Sequence, residues 1–148
     1  MKTGSRGLAL IKDFEKCKLV AYKDGAGVWT IGWGHTDSTI KYGTVWTQIQ
    51  ADNALALDLK TAENCINTAV RFRLNQSQFD ALVAFTFNVG ISAFANSTMR
   101  RLLNEGKPEL AAKQFVRWNK ITVNGALEPS DGLTRRRAAE QQLFESQP

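Results

Sequence analysis

The sequence predicts an α+β fold, in which a small antiparallel β lobe and a larger helical lobe are joined by one long helix. Three observations carry this. Leu19–Tyr22 and Val28–Ile31 are short apolar runs flanking Lys23-Asp24-Gly25-Ala26-Gly27, a turn signal. Leu55, Leu59, Ala62, Ile66 and Ala69 recur at steps of four and three, the period of a helix with one apolar face. From Asn75 onward, further helical segments are divided by Gly and Pro.

The elements follow in order. Ser5–Lys16 carries Leu8, Leu10, Ile11 and Phe14 at helical spacing, with Glu15 at the edge of the apolar face. The hairpin comes next, and Asp37–Val45 supplies a third strand or a loop. Thr47-Gln48-Ile49-Gln50 reads as a capping box opening a helix from Gln48 to Val70, about 30 Å long and able to link two lobes. Asn75 caps a further helix that Gly90 stops, with Phe79, Leu82, Val83 and Phe87 mostly on one side. Ser97 caps a helix running to Asn104. Pro108 opens another, with Leu110, Ala111, Phe115 and Trp118 on its apolar face. Asn119–Gly132 reads as a long loop, and Leu133–Glu145 as the last helix. The expected division is a lobe over about residues 15–50, a linking helix over 48–70, and a helical lobe over 71–148 that also takes in helix 5–16. No repeat, low-complexity tract or linker marks a second domain, so the 148 residues are expected to act as one unit.

Composition narrows the partner class without choosing it. A net charge of +5 points to an anionic partner: nucleic acid, acidic lipid headgroups or cell wall. No basic stripe interleaved with aromatics is present, which argues against nucleic acid. The opening Met1-Lys2-Thr3-Gly4-Ser5-Arg6-Gly7 has no continuous apolar run, so neither a signal peptide nor a membrane span is expected. Cys17 and Cys65 are far apart; free thiols are the default reading, with a single disulfide left open. His35 is the only histidine and no ligand-spaced cluster surrounds it, so no metal is expected.

The chemistry-bearing stretch runs from Glu15 to Thr36. A glutamate ends a helix, Asp24 opens the turn, and Thr30 lies in the following strand. Each alone has a commoner structural reading: a solvated glutamate, a turn aspartate capping its own backbone, a strand threonine. Together, two carboxylates and a hydroxyl across a helix–hairpin junction suggest general acid–base hydrolysis.

That spacing, E-x8-D-x5-T followed by I-G-W-G-H-T, resembles the phage-type lysozymes of glycoside hydrolase family twenty-four. Four further stretches share the resemblance: Asn75-Gln76-x-Gln78-Phe79-Asp80-Ala81-Leu82-Val83, Phe87-Asn88-Val89-Gly90, Asn96-Ser97-Thr98, and Gly132-Leu133-x-x-Arg136-Arg137-x-x-Glu140. Together they reach from about residue 7 to about residue 144. Two positions depart from the family pattern: Lys16 stands where glycine is common, and Trp33 where tyrosine is common.

The resemblance implies a lysozyme-like fold and an endolysin that hydrolyses the β-1,4 bond between N-acetylmuramic acid and N-acetylglucosamine. It implies Glu15 as general acid, Asp24 as stabiliser of positive charge on the sugar or orienter of water, and Thr30 as positioner of the attacking water. Phe87, Asn88 and Ser97 would line the cleft. Arg136 or Arg137 would anchor the acid, with Glu140 in an intrahelical ion pair. His35 would be a structural hydrogen-bonding residue. No cofactor is expected, because protonation and charge stabilisation suffice for this bond. Inversion is the expected stereochemistry. The implied setting is synthesis in the host cytoplasm, passage through a holin-type pore, and action on peptidoglycan as a monomer. The competing readings are a lytic transglycosylase, which Asp24 and Thr30 argue against, and a non-catalytic wall-binding module.

Overall fold

The computed structural model describes residues 1–148. Helix α1 (Ser5–Glu15) leads into an antiparallel hairpin of β1 (Lys18–Lys23) and β2 (Trp29–Gly32). Tyr22 lies opposite Thr30 and Lys23 opposite Trp29, with a register irregularity between Lys18 and Tyr22. The turn closes with Gly27 at φ 81°, a conformation that favours glycine. No third strand forms. Residues 37–45 make a loop that touches β1 through the single bridge Val20–Val45 and the bond from Ala21 N–H to the Thr44 carbonyl. Turns around Lys41–Thr44, with Gly43 at φ 86°, interrupt the extension that a ladder needs.

Helix α2 (Gln48–Ala69) carries the chain from this lobe to the helical one. Its capping box is complete: Gln50 N–H donates to Thr47 Oγ1, and Thr47 N–H donates to Gln50 Oε1. Leu55, Leu59, Ala62 and Ile66 are buried along one stripe, as their spacing requires. Helix α3 (Gln76–Val89) is the centre of the helical lobe. Every residue from Phe79 to Thr86 is buried, as expected of a helix surrounded on all sides. Phe85 is fully buried and receives the rings of Phe94, Phe115 and Trp118 edge-on at 5.4–6.5 Å.

The short helix α4 (Ile91–Ala95) places Phe94 in that core, and α5 (Thr98–Asn104) follows its Ser97 cap. The segment after Pro108 is not one helix. It forms α6 (Pro108–Ala112) and then a 3-10 turn (Phe115–Arg117), and Leu110 is half-exposed rather than on a core face. The break lets both Phe115 and Trp118 meet the Phe85 ring.

Residues 119–132 are not a loop. They form the hairpin β3 (Lys120–Val123) and β4 (Ala126–Pro129). Asn124 and Gly125 lie between the strands at φ 50° and 81°, both positive, as a two-residue type I′ turn demands. Helix α7 (Asp131–Glu145) starts behind Ser130, whose hydroxyl accepts from Leu133 N–H.

Helix α1 ends on an unusual conformation. Lys16 sits at φ 58°, ψ 147°, a region nearly reserved for glycine, at a cost of about 1–3 kcal/mol. Lys16→Gly is therefore expected to stabilise the fold and raise Tm by a few degrees, about 2–4 °C per kcal/mol, checked by thermal denaturation.

Candidate active site

Glu15, at the C-terminus of α1, and Asp24, in the β1–β2 turn, line one cleft of about 580 Å³ between the two lobes. Its opposite wall comes from α2 and the end of α3, through Asp58, Phe87 and Asn88. Tyr22 lies within the fields of both acids. Burial first, and then the negative charges of Glu15 and Asp24, push its phenol upward.

Asp24 Oδ1 accepts from the backbone N–H groups of Ala26 and Val28, both at 2.9 Å, and its Oδ2 has no protein partner. The turn-forming reading and the functional one are thus compatible, one oxygen each. Thr30 is buried and is not part of the cleft lining. Its hydroxyl donates to the Val28 carbonyl at 2.9 Å, so Thr30 is linked to Asp24 through the backbone of one residue, Val28.

Glu15 is held from the far end of the sequence. Arg136 Nη1 donates to Glu15 Oε1 at 2.8 Å, while its Nε donates to Glu140 Oε2 at 3.2 Å and its Nη2 to the Ala84 carbonyl at 3.4 Å. Arg137 turns elsewhere. It donates to Glu140, to the Trp118 carbonyl at 2.9 Å, and to Asn88 Oδ1. Glu140 is wholly buried between them. Burial raises its carboxyl and the two guanidiniums oppose that rise. Burial likewise lowers Arg137, against the attraction of Glu140. Two arginines and two carboxylates thus form one hydrogen-bonded cluster, the arrangement that makes buried charge tolerable.

The structure brings together Glu15, Asp24, Phe87, Asn88, Arg136 and Arg137. Ser97 lies apart from the cleft lining: its hydroxyl accepts from Arg100 N–H at 3.0 Å and donates to the Phe94 carbonyl at 2.6 Å, which is capping. His35 bridges two acids. Nδ1 meets Asp58 at 2.7 Å and Nε2 meets Asp37 at 2.6 Å, tying the β lobe to α2. Trp33 is accommodated at the family's usual tyrosine position through a bond from its indole N–H to Asp52 at 2.8 Å.

Gly34 is a cleft-lining position beside Glu15 that sequence reading passes over. It has φ 80°, and a Cβ there would stand 2.7 Å from Glu15 Oε2. Its place in I-G-W-G-H was the available signal. Asp58 is another, visible only through its partner His35. No group of side chains in the structure has the makings of a metal site.

A sequence model of the phage lysozyme family, described as "Phage lysozyme", matches residues 12–140. The chain belongs to the phage lysozyme family. It is 42% identical to an endolysin of Acyrthosiphon pisum secondary endosymbiont phage 1, covering 99% of each chain. It is also 42% identical to the endolysin of Bacillus phage PZA, of whose length it spans 56%. Among solved structures, the muramidase domain of SpmX from Asticaccaulis excentricus superposes with a TM-score of 0.92 at 40% identity, covering 99% of each chain. Membership agrees with the lobed architecture and with the cleft between the lobes.

Two outcomes test this geometry. Gly34→Ala must push the Glu15 carboxyl aside, and a shift of about 1 Å costs about 10²-fold in rate; lytic activity is expected to fall by that order while circular dichroism stays native. The second concerns His35. Burial lowers its proton affinity, but the bonds to Asp58 and Asp37 outweigh this and raise it above 6.5. Asp37 is lowered to about 2, chiefly by Thr39 and then by His35. A raised histidine stabilises fully below 6.5 and loses that contribution as pH rises through its folded value. A lowered aspartate stabilises above 3.8 and loses it as pH falls toward about 2. Both contributions are complete between about 3.8 and 6.5. NMR titration of the His35 ring is expected to give a midpoint above 6.5 in the wild type and a lower one in Asp58→Asn.

Proposed function

We propose that the protein is an endolysin, a lysozyme that hydrolyses the β-1,4 bond between N-acetylmuramic acid and N-acetylglucosamine in bacterial peptidoglycan. The observation that carries the reading is the pairing of Glu15 and Asp24 on one cleft, with Glu15 oriented by a buried arginine. Membership in the phage lysozyme family and the muramidase and endolysin relatives support the same substrate class.

In this mechanism Glu15 is the general acid. Arg136 occupies Oε1, which leaves Oε2, the oxygen facing Gly34, to carry the proton to the glycosidic oxygen. Asp24 presents Oδ2 to the positive charge that develops on the sugar. Thr30, buried behind the cleft lining, acts on the attacking water through Asp24, to which Val28 links it. Water delivered opposite the leaving group inverts the anomeric centre. Phe87 and Asn88 contact the sugar, and Arg137 fixes the Asn88 amide. The whole chain works as one catalytic unit, as a monomer, without a cofactor. No helix is long and apolar enough to cross a membrane. We assign synthesis in the host cytoplasm and passage to the wall through a holin-type pore from the family resemblance.

Glu15→Gln is expected to abolish turbidity loss of outer-membrane-stripped Gram-negative cells, a loss of at least about 10²-fold, while wall pelleting is unchanged. Lysis at the wild-type rate would refute the assignment of Glu15, and a wild type that pellets with walls without cutting them would favour a binding module. Reducing-end analysis of digested peptidoglycan separates hydrolysis from transglycosylation: free muramic ends are expected, and anhydromuramic ends would replace the hydrolase reading.

A further inference from the structure

Helix α1, which carries Glu15 at its C-terminus, has no cap of its own at the other end. Its N-cap residue is Gly4, which has no side chain to accept a bond, and no acidic residue lies in its first turn. The orphan N–H groups of a helix start need acceptors. Here a carboxylate on a different helix supplies them. Asp80 of α3 accepts from Gly4 N–H at 2.8 Å through Oδ1 and from Gly7 N–H at 3.1 Å through Oδ2. In an ordinary capping box the N-cap side chain takes the N–H of the third helical residue, and that residue's side chain takes the N-cap N–H. Asp80 performs both halves from outside the helix.

Two further observations mark this contact as specific. Asp80 is only 2% exposed and forms no salt bridge; its remaining protein donor is Gln76 Nε2, at 2.8 Å. Its charge is met by N–H groups and by the positive end of the α1 dipole. Gly7 must also be glycine, because a Cβ there would lie 2.7 Å from the Asp80 Cβ. The Asp80 side chain therefore occupies the space a side chain at residue 7 would need.

The far end of α1 is referred to α3 as well. Arg136 holds Glu15 with one nitrogen and the Ala84 carbonyl with another, and Ala84 is one helical turn beyond Asp80. We infer that Asp80 is a positioning residue for the reaction: by tethering the start of α1 to α3 it sets the axial position of the helix and so the placement of the Glu15 carboxyl in the cleft. A helix is stiff along its axis, and α1 spans only about three turns. Slippage at Gly4 arrives at Glu15, whose Oε1 is held by Arg136 at 2.8 Å.

This inference rests on Glu15 being the acid. Asp80→Ala removes both Asp80 bonds while leaving the bond from Arg6 to Ser77 at 3.0 Å, and Gly4→Ser adds a local N-cap, in a position whose extended backbone suits one. Rates are read over a range of wall concentrations well below the measured Tm of each variant. Asp80→Ala is expected to lower kcat by about 10²-fold with KM within about twofold, and Asp80→Asn, which keeps one acceptor oxygen, to fall between it and the wild type. Adding Gly4→Ser to Asp80→Ala is expected to recover Tm without recovering kcat. Wild-type kcat in folded Asp80→Ala, or recovery of kcat together with Tm in the double variant, would overturn the inference and reduce Asp80 to a helix cap. If Asp80→Ala does not fold, Asp80→Asn decides, and an unchanged kcat overturns the inference. An active Glu15→Gln would instead refute the underlying mechanism, whereas full activity of Asp80→Ala beside an inactive Glu15→Gln would refute only the positioning role.

Discussion

The ion cluster of Glu15, Arg136, Glu140 and Arg137 is the constraint on which the rest of the molecule depends. A carboxylate set in a cleft wall must be held in orientation by something, and a guanidinium taken out of water to do so must itself be held. Glu140 meets that need from one turn further along the same helix, and shares itself between both arginines. One arginine then reaches the acid and the other reaches Asn88, so a single buried carboxylate organises two sides of the cleft. Because Arg136 also holds the Ala84 carbonyl, the cluster joins α1, α3 and α7 at the point where the reaction would occur.

The hydrophobic core serves the same end. Phe85 is packed by Phe94, Phe115 and Trp118, and the Arg137 guanidinium lies over its ring at 5.0 Å. Core and ion cluster are therefore adjacent layers of one structure. Across the cleft, the His35 bridge between Asp37 and Asp58 fastens the β lobe to α2. Both walls are thus fixed by polar contacts whose partners lie on separate elements.

Much of this was legible in the residues, unevenly. The α2 capping box, the apolar stripe behind it and the first hairpin were local patterns, and local patterns survive in a linear text. The spacing of Glu15, Asp24 and Thr30 became informative through family likeness. The choice between Arg136 and Arg137 was not legible, because it depends on how α7 is rotated against α1, a contact across 121 residues. The intrahelical pairing of Glu140 with the arginines was legible from their spacing, but its complete burial depends on tertiary packing. Asp80 was visible as part of a motif, but its capping role depends on a helix that begins at Ser5. The β3–β4 hairpin was missed although Asn124-Gly125 between Ile121-Thr122-Val123 and Ala126-Leu127 is a strong local hairpin signal; the neighbouring Pro129 and Gly132 outweighed it.

That hairpin has a consequence for how this architecture can vary. Its base is closed by the bond from Ser130 N–H to the Asn119 carbonyl. On one side Trp118 offers its carbonyl to Arg137, and on the other Ser130 starts α7. Between those two pins β4 is exposed throughout and β3 nearly so. Chain added or removed at the Asn124-Gly125 tip would leave the buried charges in register, which makes this the natural port for grafted sequence.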